Sequence, residues 1–578
     1  MVNSIKLRDI CHARSGDKGD TVNIGLIVYN PAHFDWVLER VTAAAVAEYI
    51  KNIAIGPVKR YKLPKINAIN FVVHKGLGGG VTRTLNIDGH GKAYGAILLE
   101  MAIEAPPNMN ISRSTIQPIL SKQQTIQSDK CLRLGSCSAY ENDHLDAAVA
   151  LAESGKIDYL IFDCLSEKTI SEANLRKIRG DIGYDVFLEE KLRAVLPGSI
   201  RHGVKLIANA GAADVEGAAR VTTKVCQELG LSGVKVCYVL GDNVLNLVKN
   251  QNPIVRETGE KISTFGDKLI SAHVYEGAET IVQSLGRGAD IVLTGRAGDS
   301  AQFLAAMIHE HGWSFNDQDL IGKGLGIGHL LECAGQATGG YHADPNIKKV
   351  PNLEFLGFPI ANVYPNGDAI ITKLPDTGGI VNTRTVTEQL VYEIDDPANY
   401  IHTDGIVDFT TTEITEIGKN QVLVSKTTGH SRPQNLKVVI GVLEGFVGMG
   451  RAVYCGSRAY DKARLAGEVV VKRMSTLYGV DSSTLQVDII GANAIFNWDL
   501  DLSALKEVEL RITGRFKTRQ QAWKLMYTVS ELPCNGPTGI AWGRPLDQGG
   551  VEEIISLYTL LLPQEAVRFS IHEIDVNL

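Results

Sequence analysis

Tyr159-Leu160-Ile161-Phe162-Asp163-Cys164-Leu165-Ser166-Glu167 is an apolar run that ends in small, polar and titratable residues. Its first half reads as a short buried strand, and its second half as a loop leading into a helix. The pattern recurs on both sides. Leu132 to Cys137, Val204 to Ala210, Val234 to Leu240 and Asp290 to Gly295 are further apolar runs with β-branched content. Helical stretches separate them at His144 to Ser154, Ser171 to Leu196, Asp214 to Leu229 and Gly277 to Gly286. This alternation predicts an α/β fold with a mostly parallel, doubly wound sheet and helices on both faces.

In such sheets ligands gather beyond the carboxyl ends of the strands. The residues expected there are Ser136, Asp163, Asn209, Asp242, and Arg296 with Asp299. None of the five strand ends fits Gly-x-Gly-x-x-Gly or the Gly-x-x-x-x-Gly-Lys-Ser/Thr phosphate loop, so a nicotinamide or ATP enzyme of the usual kinds is not expected.

The stretch His329-Leu330-Leu331-Glu332-Cys333-Ala334-Gly335-Gln336-Ala337-Thr338-Gly339-Gly340-Tyr341 follows the sheet. A helix would put His329, Glu332 and Cys333 on one face, because positions three and four apart are neighbours. Thr377-Gly378-Gly379 repeats the triplet at 338–340. The expected catalytic residues are Glu332, His329 and Asp299. Arg296 would hold an acid or pyrophosphate, and Thr338, Gly339, Gly340, Thr377, Gly378 and Gly379 would accept an oxyanion through backbone N–H groups. Ser136 and Asn209 complete the expected binding set. The rival reading is structural: an Arg296–Asp299 ion pair, a satisfied core histidine, and a glutamate acting as a cap. Metal ligation would rest on His329 with Glu332, His342 with Asp344, or His309 with His311; there is no His-Glu-x-x-His, and neither a metal nor a redox cofactor is expected. Cys137, Cys164 and Cys333 lack a nucleophile elbow.

Residues 1–105 read as a compact α+β unit, 106–130 as a polar linker, and 131–578 as a large domain with an α/β part (131–345) and an appended strand-rich α+β part (346–578). Within the first unit, strands are expected at Ile5 to Ile10 and Thr21 to Tyr29, and one helix from Trp36 to Ile50. The Ala13 to Asp20 segment reads as a solvated hairpin connection. Gly76-Leu77-Gly78-Gly79-Gly80 is a second glycine-rich loop that, with the first, offers an anion-accepting or interface surface.

The 578 residues carry a formal net charge of −7 at a sequence pI near 6.1, which gives no reason to expect a nucleic-acid partner. No run approaches the roughly 18 apolar residues of a spanning helix, and the start lacks an apolar core with a cleavage site, so a cytoplasmic protein with no membrane partner is expected. Nine cysteines without a Cys-x-x-Cys indicate reduced thiols. The additional domain and the linker suggest a homo-oligomer.

Arg14-Ser15-Gly16-Asp17-Lys18-Gly19-Asp20, Asn23-Ile24-Gly25, Tyr61-Lys62-Leu63-Pro64, Asn70-Phe71 and Leu77-Gly78-Gly79-Gly80 resemble the small ferredoxin-like domain of the acyclic terpene utilisation (AtuA) family. Gly295-Arg296 with Asp299, His329 to Cys333, Thr338-Gly339-Gly340, Gly357-Phe358-Pro359, Thr377-Gly378-Gly379, Tyr392-Glu393-Ile394 with Asp396-Pro397, and Asn535-Gly536-Pro537 resemble its large domain. Here the small domain comes first. The resemblance implies a place in the breakdown of branched acyclic terpenoids through coenzyme A thioesters. The expected activity is a lyase, a hydratase or dehydratase, on an acyl-CoA or branched carboxylate; the alternative is a non-catalytic carrier of CoA-linked intermediates.

Overall fold

The computed structural model describes residues 4–105, 131–541, 543 and 545–577; the expected linker lies outside the described residues. In the small domain β1 (Cys11–Lys18) and β2 (Thr21–Val28) form a hairpin. Helix α1 (Ala43–Ile50), strands β3 (Val58–Leu63) and β4 (Ala68–Val73), and helix α2 (Tyr94–Leu99) follow. The sheet order is β1-β2-β4-β3, antiparallel throughout.

Three expectations change here; the strand expected from Ile5 to Ile10 ends at Lys6, where the chain turns into a 3-10 helix at Leu7–Asp9. The Ala13 to Asp20 segment is largely strand, with its turn at Gly19 and Asp20. Its polar residues are buried by partners far along the chain, which local polarity does not reveal. The single helix expected from Trp36 to Ile50 is two, Phe34–Arg40 and Ala43–Ile50, because Thr42 restarts it by accepting the Ala45 N–H.

The small domain's strands have two buried faces. Ile24, Leu26 and Val28 join its own core, while Ile27 and Ala68 join a core of the large domain. Side chains alternate across a strand, so Asn23 and Gly25, which share Ile27's face, also meet the large domain, as do His12, Arg14 and Gly16 on β1.

The large domain begins with β5 (Leu132–Ser138), α3 (Leu145–Glu153), β6 (Tyr159–Phe162), α4 (Glu167–Ile178), α5 (Leu188–His202), β7 (Lys205–Ala208), α6 (Val215–Glu228) and β8 (Lys235–Leu240). After an excursion come α7 (Ala278–Gly286), β9 (Ile291–Leu293), α8 (Asp299–His311) and α9 (Gln318–Glu332). The helix expected from Ser171 to Leu196 is therefore two, α4 and α5, separated by a turn containing Gly180 at φ +83°.

Strands β5-β6-β7-β9-β8 are parallel neighbours. The chain steps in one direction from β5 to β8 and then back to β9. Right-handed crossovers put α3, α5 and α6 on one face and α7, with α8 and α9, on the other. Each face has its own core, built around Leu160, Leu192 and Leu206 on one side and Ile161, Phe303 and Leu330 on the other. Burial contributes roughly 1.5–3 kcal/mol for each such side chain.

The whole sheet has ten strands and is mixed, which corrects the expectation of a mostly parallel one. Pro359–Val363, Ala369–Lys373, Gln421–Ser425 and Glu413–Gly418 extend it beyond β5, and Ser570–Asp575 pairs with β8, all antiparallel. Pro359–Val363 and Ala369–Lys373 are joined by a short turn, and a hairpin can pair only antiparallel. Much of the strand-rich region thus completes the first sheet. Gln389 to Ile394, which by its apolar content reads as one of the strands of the strand-rich part, is instead the end of helix α10 (Thr383–Leu390) and a turn, the helix being started by an Asn382–Thr385 capping box.

A second sheet is built on the 21-residue strand Asn435–Cys455, which pairs with Gly549–Pro563, Glu507–Phe516 and Leu269–Val274. The small domain touches it too: Arg83 donates to the Tyr558 hydroxyl at 3.2 Å, and Arg511 donates to the Leu85 carbonyl at 2.9 Å. Among the described residues no helix is long and apolar enough to cross a membrane.

Candidate functional site

The small domain docks through a buried polar hub. Glu388 on α10 is fully buried, and four basic groups surround it. His12 Nδ1 lies 2.6 Å from it, Arg14 Nη2 3.1 Å, Lys348 Nζ 3.1 Å and His342 Nδ1 2.9 Å. Burial alone would raise the Glu388 carboxyl, but His342 and His12 outweigh it and hold it well below the usual range. Burial also lowers His12 to about 4. Arg14 donates to Gln336 at 2.5 Å and stacks 4.9 Å from the Tyr341 ring. Tyr341 donates in turn to the Ser15 carbonyl at 3.0 Å.

Beyond this hub, two strings of charged and aromatic side chains converge on the first residues of α8. In one, Lys437 lies 2.9 Å from Glu167, Glu167 accepts from the Tyr275 hydroxyl, the Arg296 guanidinium sits 4.1 Å from the Tyr275 ring centre, and Arg296 reaches Asp299 at 2.6 Å. In the other, Lys18 donates to the Tyr400 hydroxyl at 3.2 Å, the Tyr400 ring meets the His329 ring edge-on at 5.3 Å, and His329 Nδ1 lies 3.0 Å from Glu332. Ser300, the neighbour of Asp299, donates to the other Glu332 oxygen at 3.0 Å. The strings meet at the carboxyl end of β9, the edge where an α/β sheet receives ligands.

These groups retain water access in the middle of the molecule. The Lys437, Glu167 and Asp299 side chains are 38%, 35% and 32% exposed, and the Lys18 side chain is exposed where the small domain overhangs the large one. These partly exposed polar side chains border the seam between the domains and form its cleft. Partial desolvation between the two domains lowers the Lys18 ammonium, but Tyr400, Glu393, Glu332 and Glu167 outweigh it and hold the group well above its usual value. Burial, then Asp299, push Asp163 well above the carboxylate range, with Arg296 opposing. Glu167 goes the other way: burial is outweighed by Lys437 and Arg296, which hold it well below.

The fold brings Glu332, His329 and Asp299 together. Arg296 turns inward, 2% exposed; its Nη1 bonds to Asp299 and the Ala297 carbonyl, while its Nε is buried with no hydrogen-bond partner among the described residues. Asn209 donates to Asp163 at 2.6 Å and accepts the Cys164 N–H, which fixes the Asp163 carboxyl. Ser136 gives its proton to the Leu331 carbonyl at 2.6 Å and ties α9 to the sheet.

The two Thr-Gly-Gly turns pack on each other, the Ile380 N–H reaching the Thr338 carbonyl. The N–H groups of Gly339 and Gly340 bond to Gly335, that of Gly378 to Phe355, and that of Gly379 to Pro351. Thr338 and Thr377 spend their hydroxyls on the carbonyls of Gly357 and Leu374. In the structure these donors are bonded within the framework. Burial pushes the Cys137, Cys164 and Cys333 thiols up, Cys164 to about 12. Among the described residues no three His, Cys, Asp or Glu side chains form a group able to hold a metal ion.

Sequence reading did not single out Lys18, Tyr400, Glu167, Lys437, Tyr275, Lys92 or Glu393 as site residues. For Lys18 a signal was present: His12, Arg14, Gly16 and Lys18 share one face of β1 by their spacing of two. The glycine-rich loop does accept an anion, but an internal one. Asp20 Oδ1 takes the N–H groups of Leu77, Gly79 and Gly80 at 3.3, 2.8 and 3.1 Å. Gly78, Gly79 and Gly80 all have positive φ, the backbone form of an anion-binding nest.

Neither the curated proteins nor the solved structures give a match to this chain. Family comparison does: the AtuA ferredoxin-like domain matches residues 5–104, and the acyclic terpene utilisation family protein AtuA matches residues 132–573. The chain belongs to the acyclic terpene utilisation (AtuA) family, with the ferredoxin-like domain at its amino-terminal end.

Proposed function

We propose that, within the role in acyclic terpene utilisation that family membership suggests, this protein is a cofactor-independent lyase, a hydratase or dehydratase acting on an acyl-CoA thioester or a branched carboxylate. The observation that carries this reading is the pairing of two unlike carboxyl groups at one sheet edge. Burial and Asp299 favour the protonated form of Asp163, while Glu332 accepts a hydrogen bond from Ser300 and lies against His329. Neighbouring carboxyls in unlike surroundings divide the roles of acid and base.

In the dehydration direction Glu332 takes the proton from the carbon next to the carbonyl. The C–H electron pair becomes the new C=C bond, and the hydroxyl on the adjacent carbon leaves as water with the Asp163 proton. Solvent then returns a proton to Asp163 and removes one from Glu332. His329, anchored by the Leu390 carbonyl at 3.2 Å, orients Glu332, and Arg296 orients Asp299 beside it.

The test is purified protein with branched unsaturated acyl-CoAs and their 3-hydroxy counterparts, followed by mass spectrometry. Interconversion is expected, and Glu332→Gln lowers it by about 10²- to 10⁴-fold. Wild type without turnover or binding overturns the reading; tight binding without turnover marks a carrier of CoA-linked intermediates instead. We also propose a homo-oligomer, supported by the exposed Leu465, Leu477 and Val487; a monomeric mass by light scattering would remove it.

A further inference from the structure

We infer that Lys18, carried by the small domain into the large domain's cleft, is the group that receives the substrate's carbonyl oxygen and holds the negative charge of the enolate, and that the substrate is a thioester and not a free acid. The inference rests on the acid/base reading above and adds the electrophile that this reading lacks.

Among the described residues four cationic side chains face the cleft or border it, and three have a carboxylate partner. Arg296 has Asp299 at 2.6 Å, Lys437 has Glu167 at 2.9 Å, and Lys92 has Glu393 at 3.8 Å. Lys18 differs: among the described residues its hydrogen-bond partner is the Tyr400 hydroxyl at 3.2 Å, with no carboxylate within 4.0 Å. An ammonium has three N–H donors, so two remain for a ligand. Its proton is secure, because the surrounding acids hold the group well above its usual value.

Position supports the same role. Tyr400 is shared between Lys18 and His329, and His329 touches Glu332, so electrophile and base stand along one wall. A proton on the carbon next to a carbonyl becomes acidic when the developing oxyanion meets a fixed positive charge. The tip that bears Lys18 is fixed as well: the next turn residue, Asp20, is locked into the nest at 77–80.

Charge counting selects the substrate class. Removing a proton from a thioester yields an enolate with one negative charge, whereas a free carboxylate yields an enediolate with two. A single cation without a carboxylate partner matches the first. In the step itself, the C–H pair moves into the C–C bond, the carbonyl π pair moves onto oxygen, and Lys18 donates an N–H to that oxygen without transferring its proton.

The decisive measurement is hydrogen–deuterium exchange at the carbon beside the carbonyl, in D2O, for a saturated branched acyl-CoA and for its free acid. Wild type is expected to exchange the thioester only. Lys18→Met is expected to lower the exchange kcat by about 10²- to 10³-fold with KM changed only a few-fold, and Lys18→Arg to recover part of it. Should Lys18→Met melt early, Lys18→Gln is judged by the same criterion. A Lys18 variant exchanging at the wild-type rate, or losing only KM, overturns the inference and leaves the acid/base reading in place. Wild-type exchange of the free acid overturns the thioester assignment. A wild type that exchanges neither compound overturns both.

Discussion

Glu276 is 1% exposed, accepts from Thr280, and has a second oxygen buried with no hydrogen-bond partner among the described residues. Burial raises its carboxyl to about 8. Between about pH 5 and pH 8 the unfolded chain has lost this proton while the folded one retains it, so stability falls as pH rises through that window and levels off above it. Asp404, raised to about 6 by burial, adds in the same direction. Glu276→Gln removes the first contribution, on the order of 4 kcal/mol. Chemical denaturation at pH 5 and pH 8 is expected to show a smaller loss for the variant than for wild type; equal losses would exclude this origin. At this scale the closeness of Glu332, His329 and Asp299 was legible in the sequence, because strand-end position and helical spacing are local properties. The sequence did not reveal Glu388 or Lys18, whose surroundings are assembled from residues hundreds of positions away.

Helix α10 and strand β1 form one unit. Glu388→Ala would leave Arg14 and Lys348 buried without their counter-charge, an arrangement that costs about 3–5 kcal/mol. Urea denaturation is expected to show the lowered midpoint; an unchanged midpoint would mean that water replaces the carboxylate. The motif Asn23-x-Gly25 belongs to the same unit. A Cβ on Gly25 would stand 2.2 Å from Val391 Cγ2, and Asn23 accepts the Glu393 N–H at 2.8 Å. The parallel strands were legible because each is a short apolar run between turn residues. Helix α10 was misread since its apolar end, Leu390 and Val391, continues into Tyr392 and Ile394 and imitates a strand.

Across the whole molecule, Ile27, Leu63, Ile66 and Ala68 of the small domain share a core with Phe303, Leu330 and Val391 of the large one. Domains that share an apolar core and a charged hub lose both together. Calorimetry is therefore expected to show one unfolding transition that includes residues 4–105; a separate early transition for the small domain would contradict it. The two-domain division was legible from composition and motif. The mixed sheet was not, because the pairing of Pro359–Val363 with β5 is a contact between segments more than two hundred residues apart. The nest that captures Asp20 has a wider consequence. Its loop continues through Arg83 and Leu85 to the second sheet, at Tyr558 and Arg511, while β1 is pinned to α10 at its other end. Lys18 thus stands at the apex of an arch with one foot on the second sheet and the other on α10. A disturbance at either foot tilts the apex, so substitutions at Arg83 or Arg511, far from the cleft, would be felt there as lost aim.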